Sequence, residues 1–128
     1  MIILGIDYGK KRVGLAIAES PLARPLSIWT NEKDLVEKLT CFCREQKIEK
    51  IVIGLPEGSL RQEIASFGQK LAKLSSLPME FESECLTTKE AIDRMIAVGK
   101  RQKYRQEKED AFAAALILQN FLDKQKNV

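Results

Sequence analysis

Three carboxylates stand where apolar segments of this chain turn polar: Asp7 after an N-terminal hydrophobic run, Glu84 after a strand-like segment, and Asp110 at the head of a helical one. No histidine occurs among the 128 residues, which removes imidazole metal sites, a histidine general base and the Ser/His and Cys/His nucleophile pairs. Hydrolytic chemistry must then rest on carboxylates, lysines, hydroxyls or a metal. Asp110 is followed by Ala114, Ile117 and Phe121 at i+4, i+7 and i+11, so it lies at one end of that helix's apolar face. A carboxylate on a packed face is costly to desolvate unless something neutralises it, and three acids at one site repel one another. A divalent cation answers both problems, and hard oxygen donors suit Mg2+ or Mn2+. With two ions, Asp7 would bridge them while Glu84 and Asp110 each help hold one. Such a pair activates a water and stabilises the leaving oxygen of a phosphodiester.

Each acid also has a plainer reading. Asp7, close ahead of a glycine, is an ordinary turn residue; Glu84 fits a solvated loop; Asp110 suits a helix's first turn through the helix dipole. Only their joint placement on one edge argues for chemistry. Basic residues flank two of them. Lys10, Lys11 and Arg12 follow Asp7, while Lys100, Arg101, Lys103, Arg105 and Lys108 precede Asp110, with Tyr104 among them as a surface for stacking on a base or sugar. A phosphate backbone would lie there, and Arg61, in the segment after Pro56, joins the expected contact set. Taken singly, either cluster reads equally well as solvated turn residues. The net charge of +3 says little about partners by itself.

The elements that must position these residues follow from hydrophobic periodicity. Residues 2–6 and 13–18 read as two strands around a polar, glycine-containing turn, hence a β-hairpin, and their near-continuous apolar character suggests cover on both faces. Residues 26–29 suggest a third strand, with Pro21 and Pro25 in the loop before it. Residues 32–46 read as a helix with Asn31 as N-cap, 51–54 as a buried strand, 61–74 as a helix carrying Ile64, Phe67, Leu71 and Leu74, and 79–82 as a fifth strand. Thr87 or Thr88 caps a further helix with Ala91, Ile92 and Met95 on its apolar side, and a final helix covers 109–123. A meander followed by β-α-β crossovers gives a five-stranded mixed sheet, three strands antiparallel and the rest parallel, with helices packed on it. This is the α/β order of the RNase H-like fold. Strands 1, 4 and 5 then end on one edge, which is where open α/β sheets bind ligands.

Hydrophobic residues at 45% and charged residues at 30% are ordinary for one globular domain, expected over 1–128. Cys41, Cys43 and Cys85 fit neither a paired disulfide framework nor a C-x-x-C zinc site, so they read as reduced thiols in a reducing compartment. The N-terminus has no basic leader, and no apolar stretch approaches the roughly 20 residues of a membrane span. The expectation is a cytoplasmic protein with no membrane partner.

Four segments carry a family resemblance. Gly5-Ile6-Asp7-Tyr8-Gly9-Lys10-Lys11-Arg12-Val13-Gly14-Leu15-Ala16 resembles the opening motif of the YqgF/RuvX family of pre-16S rRNA nucleases and Holliday junction resolvase-like proteins. Ile51-Val52-Ile53-Gly54-Leu55-Pro56 is similar to its Gly-Leu-Pro turn, Glu84-x-Leu86-Thr87-Thr88 to its acidic motif, and the stretch from Glu109-Asp110-Ala111 to Gln119 to its closing helix. The resemblance implies that Asp7, Glu84 and Asp110 bind the metals. It also implies cleavage of nucleic acid, either in 5′-end maturation of small-subunit rRNA on ribosomal precursor particles or in resolving branched DNA. A junction resolvase needs two active sites and hence a homodimer. The chain departs from the family's Asp-Glu-Arg with Ser83-Glu84-Cys85, and after Pro56 it has Glu57-Gly58-Ser59-Leu60-Arg61 in place of a polar Asn-Met-Asp-Gly stretch. Cysteine cannot replace the bidentate grip of arginine, which makes a binding factor with weakened catalysis a further candidate. The Asp-x-Gly turn also resembles the phosphate hairpin of actin-like ATPases and sugar kinases, but that fold needs two lobes and this length supplies one.

Overall fold

The computed structural model describes residues 1–19, 21–83 and 109–126. Two apolar runs joined by a tight turn form a hairpin of β1 (Ile3–Tyr8) and β2 (Arg12–Ala18), with Ile3 opposite Ala18 and Tyr8 opposite Val13. β3 (Arg24–Thr30) extends the meander antiparallel to β2, with a register shift between Leu15 and Ala16. On the other side of β1, β4 (Lys50–Leu55) runs parallel to it, and β5 (Met79–Ser83) runs parallel to β4. The sheet order is β3-β2-β1-β4-β5, the mixed five-stranded arrangement expected of the RNase H-like architecture.

Alternation along the strands sends side chains to two cores. Leu4, Ile6, Val13, Leu15, Ile51 and Ile53 face helices α1 (Leu35–Glu45) and α2 (Arg61–Ser75), packing with Leu39, Cys43, Ile64 and Leu71. Ile3, Ala16, Ala18 and Val52 face the opposite way, onto Ala114, Ile117, Leu118 and Phe121 of α3 (Glu109–Lys126). Small residues let α3 lie close to the sheet. A Cβ built on Gly5 would stand 2.9 Å from Leu118 Cβ and 3.2 Å from the Ala114 carbonyl oxygen. Gln119 ties the same helix to the β2–β3 loop, accepting from the Ala23 amide (2.8 Å) and donating to the Pro21 carbonyl (2.9 Å).

Asp7 stands near the end of β1, as expected. Three local expectations are corrected. Pro25 lies inside β3 rather than in the preceding loop; an edge strand beside a register shift tolerates a residue without an amide donor. Asn31 does not cap α1, which begins after Asp34; its side chain donates instead to the Gly9 carbonyl (2.7 Å) and its amide to the Lys11 carbonyl (2.9 Å), bracing the hairpin turn. Leu74, grouped with the apolar residues of α2, is 51% exposed. The helix expected from Thr87 or Thr88 lies outside the described residues. Among the described residues no helix is long and apolar enough to cross a membrane.

Candidate functional site

Asp7 is the next-to-last residue of β1, paired with Gly14 of β2 and half-buried. Its strand neighbours decide where it faces. Leu4 and Ile6 belong to the α1/α2 core, whereas Ile3 and Gly5 meet α3, so period-two alternation puts Asp7 on the α3 side. The direction of α3 follows from two anchor points. Phe121 packs with Ile3 and lies 4.8 Å from the ammonium of Lys50, the residue paired with Ile3. Ala114 and Leu118 lie over Gly5. The helix thus runs opposite to β1. One further turn back from Ala114 to Asp110 covers about 6 Å, and two residues on from Gly5 to Asp7 cover about 6.6 Å. The backbone position of Asp110, within the first turn of α3, is carried toward the level of Asp7.

The parallel strands end together. Ile6 of β1 pairs with Ile53 of β4, and Leu55 of β4 with Ser83 of β5. Tyr8, Leu55 and Ser83 therefore close their strands on one sheet edge, where crossover sheets leave a crevice. Glu84 itself, with Lys100, Arg101, Lys103 and Arg105, lies outside the described residues, as does the side chain of Asp110. Among the described residues no three acidic or thiol side chains come together as a metal-binding group; Asp7 is the described member of the expected triad. A half-buried carboxylate on a packed face is the hard oxygen donor that a magnesium- or manganese-binding site requires.

The turn beyond Asp7 carries the expected cations. Lys10 and Lys11 are exposed there, and Arg12 opens β2, also exposed. Gly9 makes the turn possible, since a Cβ there would meet the Arg12 carbonyl oxygen at 2.7 Å. Arg61, the first residue of α2, pairs with Glu57 at 3.3 Å on the surface, a contact that water screens heavily.

The opposite face of the same strand end is held by Tyr8, whose role sequence reasoning missed. Its hydroxyl donates to Glu63 of α2 (2.6 Å), and its ring meets Phe67 at 4.7 Å. Burial first, then the Glu63 bond, raise the Tyr8 pKa above its ordinary 10.0. Glu82 of β5 was also unforeseen: it is 5% exposed and takes a 2.6 Å hydrogen bond from Lys124 of α3. Only the pairing of Tyr8 with the motif around Asp7 offered a sequence signal; Glu82 looked like an ordinary strand acid.

Comparison with known proteins fits this geometry. The family model described as RuvX, Holliday junction resolvase, matches residues 1–124. A protein named "Putative pre-16S rRNA nuclease" from Rickettsia peacockii (strain Rustic) is 34% identical, over 98% of this chain and 88% of its own length. A protein of the same name from Rickettsia akari (strain Hartford) is 32% identical with the same coverage. Among solved structures, Thermus thermophilus RuvC in complex with a Holliday junction substrate superposes with a TM-score of 0.68 at 17% identity, covering 100% of this chain and 97% of that one. The fowlpox virus Holliday junction resolvase gives 0.63 at 14% identity, covering 98% and 99%. These superpositions establish the RNase H-like fold shared with RuvC-like resolvases. Matched along almost its entire length, the chain belongs to the RuvX family, a family of nucleases acting on nucleic acid.

Proposed function

We propose that this protein is a metal-dependent endonuclease that hydrolyses phosphodiester bonds in 5′-end maturation of pre-16S rRNA, working in the cytoplasm as a single domain of residues 1–128. The observation that carries the reading is the placement of Asp7. It lies one residue before the end of β1, near the edge shared by three parallel strands and half-buried on the face that α3 covers. In this reading Asp7, Glu84 and Asp110 hold Mg2+ or Mn2+. When bound, two such ions supply an activated water and charge stabilisation at the leaving oxygen.

The protein's own residues do the rest. Lys10, Lys11 and Arg12 hold the phosphate backbone beside Asp7, aided by Arg61, Lys100, Arg101, Lys103 and Arg105. Tyr8, fixed between Phe67 and Glu63, keeps the strand end from shifting as the backbone is drawn across it. The names of the Rickettsia relatives favour pre-16S rRNA as substrate. The family's description and the junction-bound neighbour favour a second reading, cleavage of Holliday junctions by a homodimer.

The test is cleavage of a labelled pre-16S 5′-leader RNA and of a labelled four-way DNA junction, each with Mg2+, with Mn2+ and with a chelator. Chelator-sensitive cutting of the RNA alone is expected. Cutting of the junction alone would move the assignment to the resolvase, and binding of either without cutting would leave a nucleic-acid-binding factor.

A further inference from the structure

One groove is unlike the surface a nucleic acid needs. Between β3 and α1 lies an open cavity of about 640 Å³, floored by Trp29, Phe42 and Cys41 and rimmed by Glu32, Glu37 and Glu45 with Lys38. The Trp29 and Phe42 rings meet edge to face, with centroids 5.3 Å apart, and leave apolar surface facing the opening. Lys38 is already engaged, 3.3 Å from Glu32 and 3.7 Å from Asp34. Among the described residues, neither Glu37 nor Glu45 has an ion-pair partner. The groove is therefore net acidic on a chain whose overall charge is +3. A polyanion would be repelled from it, whereas a cationic segment is drawn in. The groove also borders a sheet edge: β3 is the outermost strand, and among the described residues no strand pairs with its outer side. Such an edge offers backbone groups to an added extended segment.

The spacing of the two carboxylates narrows the ligand. Glu37 and Glu45 are eight residues apart on α1, a rise of about 12 Å. In an extended segment, residues i and i+4 are about 13 Å apart and share a face with i+2. A cation at each end then meets one glutamate, while the side chain between them lies over the Trp29–Phe42 floor. Arginine suits the ends because its planar fork matches a carboxylate.

We propose that the β3–α1 groove is a docking site for an extended basic segment of a partner protein, with the pattern basic-x-apolar-x-basic. The proposal is independent of the nuclease reading, because the groove contains none of the residues assigned to substrate or metal.

Trp29 is the one tryptophan in the chain, so its fluorescence reports on the groove directly. The full-length protein is titrated with a capped synthetic peptide, Ser-Arg-Ser-Leu-Ser-Arg-Ser, and with the same peptide carrying Glu in place of both Arg. The Arg peptide should produce a saturable change in Trp29 emission, and the Glu peptide none. The Glu37→Lys/Glu45→Lys variant should bind the Arg peptide at least about tenfold more weakly, the scale expected for placing like charges in contact. Both positions are exposed, so the variant should keep the parental circular dichroism and the parental nuclease activity. No saturable change at millimolar peptide, equal binding of the two peptides, or unchanged affinity in the variant would each overturn the proposal. So would an RNA or DNA duplex that shifts Trp29 emission and competes with the peptide. A self-associated protein that becomes monomeric in the charge-reversed variant would also overturn it, assigning the groove to a second copy.

Discussion

Replacing Gly5 by alanine should cost stability and activity together, although the change adds a single methyl group and removes no polar contact. The added Cβ would lie 2.9 Å from Leu118 Cβ and 3.2 Å from the Ala114 carbonyl oxygen, both fixed to the backbone of α3. Neither can rotate away, so the helix must lift from β1. Overpacking of this kind costs about 1–3 kcal/mol, offset by about 0.4–1 kcal/mol because alanine leaves the unfolded chain less freedom to lose. A net loss of about 1–2 kcal/mol lowers Tm by roughly 4–8 °C for a chain of this size. Lifting α3 also moves its first turn away from Asp7, so cleavage should fall by more than the lost stability explains at a temperature where the variant is fully folded. Gly68→Ala is the matched control. Its Cβ meets the Phe81 ring at 2.8 Å and the Met79 methyl at 3.1 Å, on the face of the sheet away from α3. Those side-chain ends can yield, and a helix interior gains about 1 kcal/mol from Gly to Ala. Stability within about 1 kcal/mol of the parent, with parental cleavage, is expected there. Thermal denaturation and single-turnover cleavage of both variants decide the matter. A Gly5→Ala protein with parental Tm and parental activity would refute the close β1–α3 contact as the device that sets the site.

Three further outcomes follow from contacts away from that seam. Tyr8→Phe removes the hydroxyl bond to Glu63 and should cost about 1 kcal/mol at neutral pH, read by urea denaturation. Because the folded Tyr8 pKa is raised, its pH-linked contribution is full below about pH 10 and is lost as pH rises through the folded value; that alkaline component should be absent from Tyr8→Phe. Lys124→Met leaves the Glu82 carboxylate buried without its cation and should destabilise by about 1–2 kcal/mol, toward the low end for a broken buried pair because Lys124 is 61% exposed; the Glu82→Gln/Lys124→Met double variant should recover part of the loss. Finally, an alkylating reagent at neutral pH should label exposed Cys41 quickly and leave Cys43 untouched until unfolding, because burial pushes the Cys43 thiol up to about 11. Peptide mass mapping reads the order of labelling.

Much of the architecture was legible because strand burial on both faces leaves an unmistakable apolar signature. The runs around Ile3, Val13 and Ile51 could be read as strands, and the spacing of Ala114, Ile117 and Phe121 correctly marked the buried face of α3. What escaped was whatever depends on a partner distant in sequence. Asn31 has the right chemistry for a helix cap, but tertiary contact spends it on the Gly9 carbonyl. Pro25 looked like a loop residue because sequence does not reveal which strand is outermost. Gly5 carried no signal beyond its place in an apolar run, and only the approach of α3 explains why no side chain fits there. For the site, the type and position of Asp7 were readable, but its orientation toward α3 required knowing which of its neighbours meet which core.

Whether Asp7 anchors a metal-dependent cleavage site is decided by comparing the parent with Asp7→Asn. Cutting and binding of the same labelled RNA and junction would be measured side by side in Mg2+ and Mn2+. The parent should cut, and Asp7→Asn should bind with similar affinity but not cut. A variant that cuts at the parental rate would contradict that role for Asp7.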